Sequence, residues 1–209
     1  MDQRPAPRLQ GFSPDAAWLV PASRWTNPNP SALTLEAPAR TDFFNDPAAA
    51  AVDGAAVKGD APAWLTPVTA PATLRACVRP DFRDTFDAGV LMLYQAPTVW
   101  AKLCFERSPD GRPMVVSVVT RGTSDDANSS FVHSPEVWLR IGLHERSVAF
   151  HASSDGEGWD LVRHFRLTDT ASPLRIGLLA QAPLGAGCSV AFSSVELSAG
   201  VEADIRSGR

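Results

Sequence analysis

Trp100-Ala101-Lys102-Leu103-Cys104-Phe105-Glu106 and Glu136-Val137-Trp138-Leu139-Arg140-Ile141 are the two stretches that decide how this chain reads. In a β-strand successive side chains point to opposite faces, and both stretches divide cleanly under that rule. Ala101, Leu103 and Phe105 share one face, as do Val137, Leu139 and Ile141. Trp100, Lys102 and Glu106 share the other, as do Glu136, Trp138 and Arg140. The first set is a core face. The second mixes tryptophan with both signs of charge, which suits a sheet surface that holds a polar ligand with apolar ring faces, such as a sugar. The plainer reading is a solvated face whose charges pair across strands. One such strand favours the plainer reading; two with the same pattern bring the readings level.

The rest of the chain supports an all-β fold. Short alternating or apolar runs recur about every ten residues between scattered Pro and Gly, the pattern of a sandwich or barrel. The candidate strands are Ala32–Ala37, Thr73–Arg79, Gly89–Gln95, Val99–Glu106, Pro113–Thr120, Glu136–Gly142, Ser147–Ser153, Asp160–Leu167, Leu174–Gln181 and Ser189–Leu197. Leu103, Phe105, Val137, Leu139, Ile141 and part of Val90–Tyr94 are the expected core. Residues 1–197 read as one domain, with a long surface loop over 45–63 and a flexible tail over 198–209. Pro47–Val52 carries four alanines, but its Asp-Pro and Asp-Gly flanks favour a loop over a helix.

Asp155-Gly156 between alternating runs marks a hairpin. Pairing Asp155 with Gly158 sets Phe150 opposite Arg163 and Val148 opposite Phe165. Arg163 then falls on an otherwise apolar face. Either a bulge shifts the register, or Arg163 is partly buried and needs an acidic partner.

Composition narrows the function. With 209 residues and an apolar fraction of 44%, the chain can bury a core without metals or disulfides. Its net charge of −4 and lack of a basic stripe argue against nucleic acid. Three cysteines without CxxC spacing fit a reducing compartment, and the start of the chain lacks the apolar segment of a signal peptide, so a cytoplasmic protein is expected. No run is long and apolar enough to make a membrane span. His133, His144, His151 and His164 show no zinc spacing, and no cofactor motif occurs, so neither metal nor cofactor is expected.

Catalysis is the weaker alternative. Glycoside hydrolysis needs two carboxyl groups roughly 5–5.5 Å or 6.5–9.5 Å apart, and no strand carries Glu-x-Asp or Glu-x-Glu. Glu106 and Asp42 remain the candidates for a sugar-active hydrolase or isomerase. Lys102 and Glu106 stand about 13 Å apart along an extended strand, which makes them anchors rather than a catalytic pair. The segment Ser117–Asp126 reads as a strand running into a polar loop, where Ser, Thr and Asp either contact ligand or cap their own turn.

Taken in order, several motifs resemble the regulation-of-enolase-protein-like family, a domain of unknown function in the concanavalin A-like lectin/glucanase superfamily. They are Trp25-Thr26-Asn27, Thr41-Asp42-Phe43, Asp87-Ala88-Gly89-Val90-Leu91-Met92, Trp100-x-Lys102-x-x-x-Glu106, Ser117–Thr120, Ser124-Asp125, Leu139-Arg140-Ile141, Ser154-Asp155-Gly156-x-x-Trp159-x-x-x-Arg163 and Gly177-Leu178-x-Ala180-Gln181-Ala182-Pro183. The resemblance implies a jelly-roll sandwich of two curved antiparallel sheets with a ligand site on the concave face. The catalytic signature of the glucanase members is absent. Phe44 and Asp126-Ala127 stand where relatives often carry tryptophan. The expected site is a concave face presenting Trp100, Lys102, Glu106, Trp138, Arg140 and Gln181, with Thr41, Asp42, Thr120 and Asp125 at its rim. The expected function is non-catalytic binding of a carbohydrate or similar polar small molecule. A protein-interaction module acting on a metabolic enzyme is the other alternative.

Overall fold

Three successive strands, β8 (Ala88–Ala96), β9 (Val99–Arg107) and β10 (Pro113–Arg121), form the middle of one sheet of this computed structural model. The structure describes residues 5–48, 57–167 and 173–209. Alternation sends Leu91, Leu93, Leu103, Phe105, Val115 and Val119 into the interior between two sheets. The opposite face of the same strands is also apolar and buried, with Val90, Met92, Cys104, Val116 and Val118 in a second cluster. Strands buried on both sides read as near-continuous apolar runs, and the runs in β8 and β10 have that character.

The first sheet runs in the order β1 (Ala17–Val20), β6 (Ala63–Val68), β15 (Leu174–Gln181), β8, β9, β10 and β11 (Thr123–Phe131). The second runs β14 (Asp160–Phe165), β13 (Val148–Ser153), β12 (Val137–Leu143), β7 (Ala72–Pro80), β16 (Gly187–Ala199), β3 (Ala32–Pro38) and β2 (Trp25–Asn29). All their pairings are antiparallel. The two sheets pack as a jelly-roll sandwich over Leu74, Leu103, Phe105, Leu139, Ile141, Phe150 and Phe192. A two-stranded ribbon, β4 (Phe43–Asn45) with β5 (Val57–Gly59), lies against the outer face of the first sheet, where Phe43 meets Trp100 edge-on at 5.9 Å. No helix among the described residues is long and apolar enough to cross a membrane.

Every candidate strand is present, most within a residue or two of its expected ends. The expected loop over 45–63 instead includes β5 and the start of β6; residues 49–56, and with them most of Pro47–Val52, lie outside the described residues. The expected polar loop after Thr120 is β11, which turns back on β10 through Arg121↔Thr123. Its sequence, TSDDANSSF, carries no apolar alternation because it is an edge strand exposed along almost its whole length.

The hairpin register is as expected: Phe150 pairs with Arg163 and Val148 with Phe165. A bulge falls between Phe150 and His151, but it lies on the turn side of the Phe150–Arg163 pair, where His151 faces Leu161, and leaves that pair in place. The second resolution of the Arg163 problem holds: the Arg163 guanidinium reaches the Asp125 carboxylate at 3.2 Å and its carbonyl at 3.2 Å.

The C-terminal residues, expected to fray, fold back over the outer face of the second sheet. Glu202 enters beside Gly142, where a Cβ would stand 2.8 Å from its Oε2, and its other oxygen meets His144 Nε2 at 3.0 Å. His151 Nε2 lies 2.8 Å from the Ile205 carbonyl. Arg140 donates to the Gly208 carbonyl at 2.9 Å and stacks over Trp159 at 4.4 Å. R140A is therefore expected to cost about 1–2 kcal/mol through the lost stacking and hydrogen bond. It should also speed hydrogen exchange at Ile205–Gly208, read by mass spectrometry beside a urea titration.

Candidate functional site

The outer face of the first sheet is organised by Lys102. Its side chain is only 3% exposed, and its ammonium donates to Phe43 O at 2.7 Å, Gln181 Oε1 at 2.9 Å and Asp42 Oδ1 at 3.2 Å. An ammonium has three protons, and three acceptors take them. Burial works against the charge, but Asp42, Cys104 and Glu106 outweigh it and move the pKa upward. Lys102 is thus a tether that fixes the Asp42–Phe43 strand start to β9 and β15, with no proton left for a ligand. This corrects the expectation that it anchors one.

Glu106 is the opposite case. Its neighbours across the sheet are Ala88 and Met114, neither of which offers a side-chain donor. The residue is 7% exposed, and its carboxyl group has no hydrogen-bond partner among the described residues. Burial pushes its pKa up to about 8; Lys102 opposes the rise, while Asp42 and Asp126 add to it. Below that pH the group is a neutral acid, able both to donate and to accept.

The remaining expected residues divide by what holds them. Trp100 is fully buried, donates to the Pro97 carbonyl at 3.2 Å and packs against Phe43, so it offers no platform. Thr120 is buried and bonded to Ser124 Oγ at 2.9 Å, which in turn accepts from Asn45 N. Thr41 donates to the Pro38 carbonyl, and Asp42 also accepts from the Phe43 amide. Gln181 turns its amide nitrogen to the Phe86 carbonyl at 3.4 Å. Asp125 points away from this face to Arg163.

Trp138 and Arg140 are not part of the site. They belong to β12 in the second sheet, on its outward side beneath the C-terminal residues and the hairpin turn. Gly156, with φ of 80°, lies so close to Trp138 that a Cβ would stand 2.8 Å from its ring. The two motifs look alike because each is an outward face, but the faces lie on opposite sides of the sandwich.

Sequence reasoning missed Phe43, which caps Trp100, and Asp126, whose charge reaches Glu106. Once β11 is known to be a strand, Asp126 falls in the same cross-strand row as Val118 and Lys102. Among the described residues no group of three or more His, Cys, Asp or Glu is placed to hold a metal ion.

Residues 18–199 match the family model described as a protein of unknown function, DUF1349. The chain belongs to the DUF1349 family. No curated protein matches its sequence. Among solved structures, a functionally unknown protein from Saccharomyces cerevisiae is 24% identical, with 90% of this chain and 97% of that one covered and a TM-score of 0.79. The Bacteroides ovatus xyloglucan PUL protein GH43B is 14% identical, with 94% of this chain but only 40% of that one covered and a TM-score of 0.68. An alginate lyase from Alteromonas sp. 272 is 13% identical, with 84% and 94% covered and a TM-score of 0.51. Identities this low carry the fold alone. This DUF1349 sandwich thus resembles domains found in carbohydrate-active proteins.

Proposed function

We propose that the protein binds a carbohydrate or similar polar small molecule at the outer face of the first sheet, with Glu106 as the group that meets it. The observation that carries this reading is a carboxyl only 7% exposed, set between Ala88 and Met114 with no side-chain donor from either. Desolvating a carboxyl disfavours its charged form and costs stability above its raised pKa, and a fold that only needed packing there would use an apolar residue. A neutral carboxylic acid donates one hydrogen bond and accepts others, which matches a sugar hydroxyl.

Turnover is supported less well. It needs two titratable groups free to act together, and the Asp42 carboxylate is already engaged by Lys102 and the Phe43 amide. The interaction-module reading, with its enolase-linked regulatory role, calls for a broad exposed apolar patch. Among the described residues the exposed large hydrophobics are Phe131 and Leu184, at 44% and 61%. A reducing compartment such as the cytoplasm fits the three buried, unpaired thiols.

The test is E106A in a thermal-shift and calorimetric screen of neutral and acidic sugars. Loss of one hydrogen-bonding anchor should weaken binding about tenfold or more. Wild-type binding should itself fall as pH rises through about 8, where Glu106 loses its proton. An E106A protein that melts normally and keeps full affinity overturns the reading.

A further inference from the structure

The sandwich has a second feature that the Glu106 face does not use. Its two sheets end on the same side with β11 and β14, and these edge strands are joined by the Arg163–Asp125 pair. Toward Phe131 and Asp160 the edge opens around a cavity of about 510 Å³. Both pairings break their register here, between Met114 and Val116 on one sheet and between Phe150 and His151 on the other. Bulges bend a strand and interrupt its regular pairing, and both lie beside this cavity.

The lining has two chemistries. Val132, Val137 and Val162 form an apolar floor continuous with the core. Phe131 also lines the cavity, and Arg112 lies over its ring at 3.6 Å, which holds the ring in place. Ser154, Glu136 and Asp160 contribute polar groups. The size lies within the roughly 300–1,000 Å³ range of small-molecule sites, and the lining is mixed, with serines and His133 beside the two carboxylates and the apolar floor.

We propose that this edge cavity is a second binding site, for the ring of a neutral saccharide. The aromatic ring and valine floor match the C–H face of a sugar. Glu136 and Asp160 accept from hydroxyls and repel anions, and the nearby Arg112 guanidinium is matched by Asp110 at 2.6 Å, which sets a neutral sugar apart from a uronate or a phosphate.

The test follows backbone amides by NMR during titration with xylobiose, cellobiose, maltose and N-acetylglucosamine, with glucuronate and galacturonate as anionic counterparts. At least one neutral sugar should move the Phe131, Val132, Ser154 and Asp160 amides saturably, and the uronates should not. Because Phe131 is 44% exposed, F131A should fold, and it should weaken that binding about tenfold, the size of one aromatic contact. The same shifts should persist in E106A, so this site and the Glu106 site fail or succeed separately. Neutral sugars that leave these amides unmoved, uronates that move them equally, or an F131A protein with unchanged affinity overturn the proposal.

Discussion

K102M is expected to destabilise the protein by about 3–5 kcal/mol, the loss typical of removing one partner from a buried ion pair. Methionine keeps the apolar stem of Lys102 and removes only the ammonium. That leaves the Asp42 carboxylate, the Phe43 carbonyl and the Gln181 amide oxygen without the donor they share. The effect should concentrate where the tether acts: the β4–β5 ribbon should loosen from β9, exposing Trp100 to water. Urea denaturation followed by tryptophan fluorescence measures both. D42N in the same background should restore part of the loss, because it removes the carboxylate left unpaired, and a double-mutant cycle gives the coupling. A K102M protein within about 1 kcal/mol of wild type would mean that the buried network is not what fixes the ribbon.

E106Q is expected to act in the opposite direction, and only at high pH. The folded-state pKa of about 8 lies above the ordinary glutamate value of roughly 4.3, so the native state holds the proton more tightly than the unfolded chain. Stability therefore falls as pH rises from about 4.5 to about 8, and the full penalty is present above 8. The displacement corresponds to at most about 5 kcal/mol. Glutamine keeps the shape and cannot ionise. It should stabilise the protein by about 2–4 kcal/mol at pH 9 and change it little at pH 4.5. Comparing the two proteins across pH isolates this one group from every other that titrates. A stability difference that does not vary with pH would sink the assignment of the raised pKa to Glu106. The same variant should retain part of any sugar affinity at pH 9, where the wild-type carboxylate has lost its donor.

The Glu106 penalty also explains why the site was only half legible. Alternation placed Trp100, Lys102 and Glu106 on one face, and the structure keeps them there. What alternation does not encode is whether that face meets water. The β4–β5 ribbon covers part of it and converts Trp100 and Lys102 from expected ligand contacts into packing and tethering groups. Glu106 receives no side-chain donor from its cross-strand neighbours Ala88 and Met114, and those neighbours are set by a register between strands, not by its own strand. The edge cavity was less legible still. Its strand β11 has no apolar period to reveal it, and its lining comes from segments that only long-range pairing brings together.

By itself the sequence determined the elements that local chemistry controls. Period-two alternation located ten strands and the inward residues of β9 and β12, and Asp155-Gly156 marked the hairpin that joins β13 to β14. These features depend on neighbours within a few residues. The tertiary structure decided which sheet each strand joined. Trp100-x-Lys102 and Trp138-x-Arg140 carry the same local pattern, yet strand order puts them on opposite outer faces, one beneath the ribbon and the other beneath the C-terminal residues. Alternation tells inside from outside on a single strand. Only long-range pairing tells which outside it is and what lies over it.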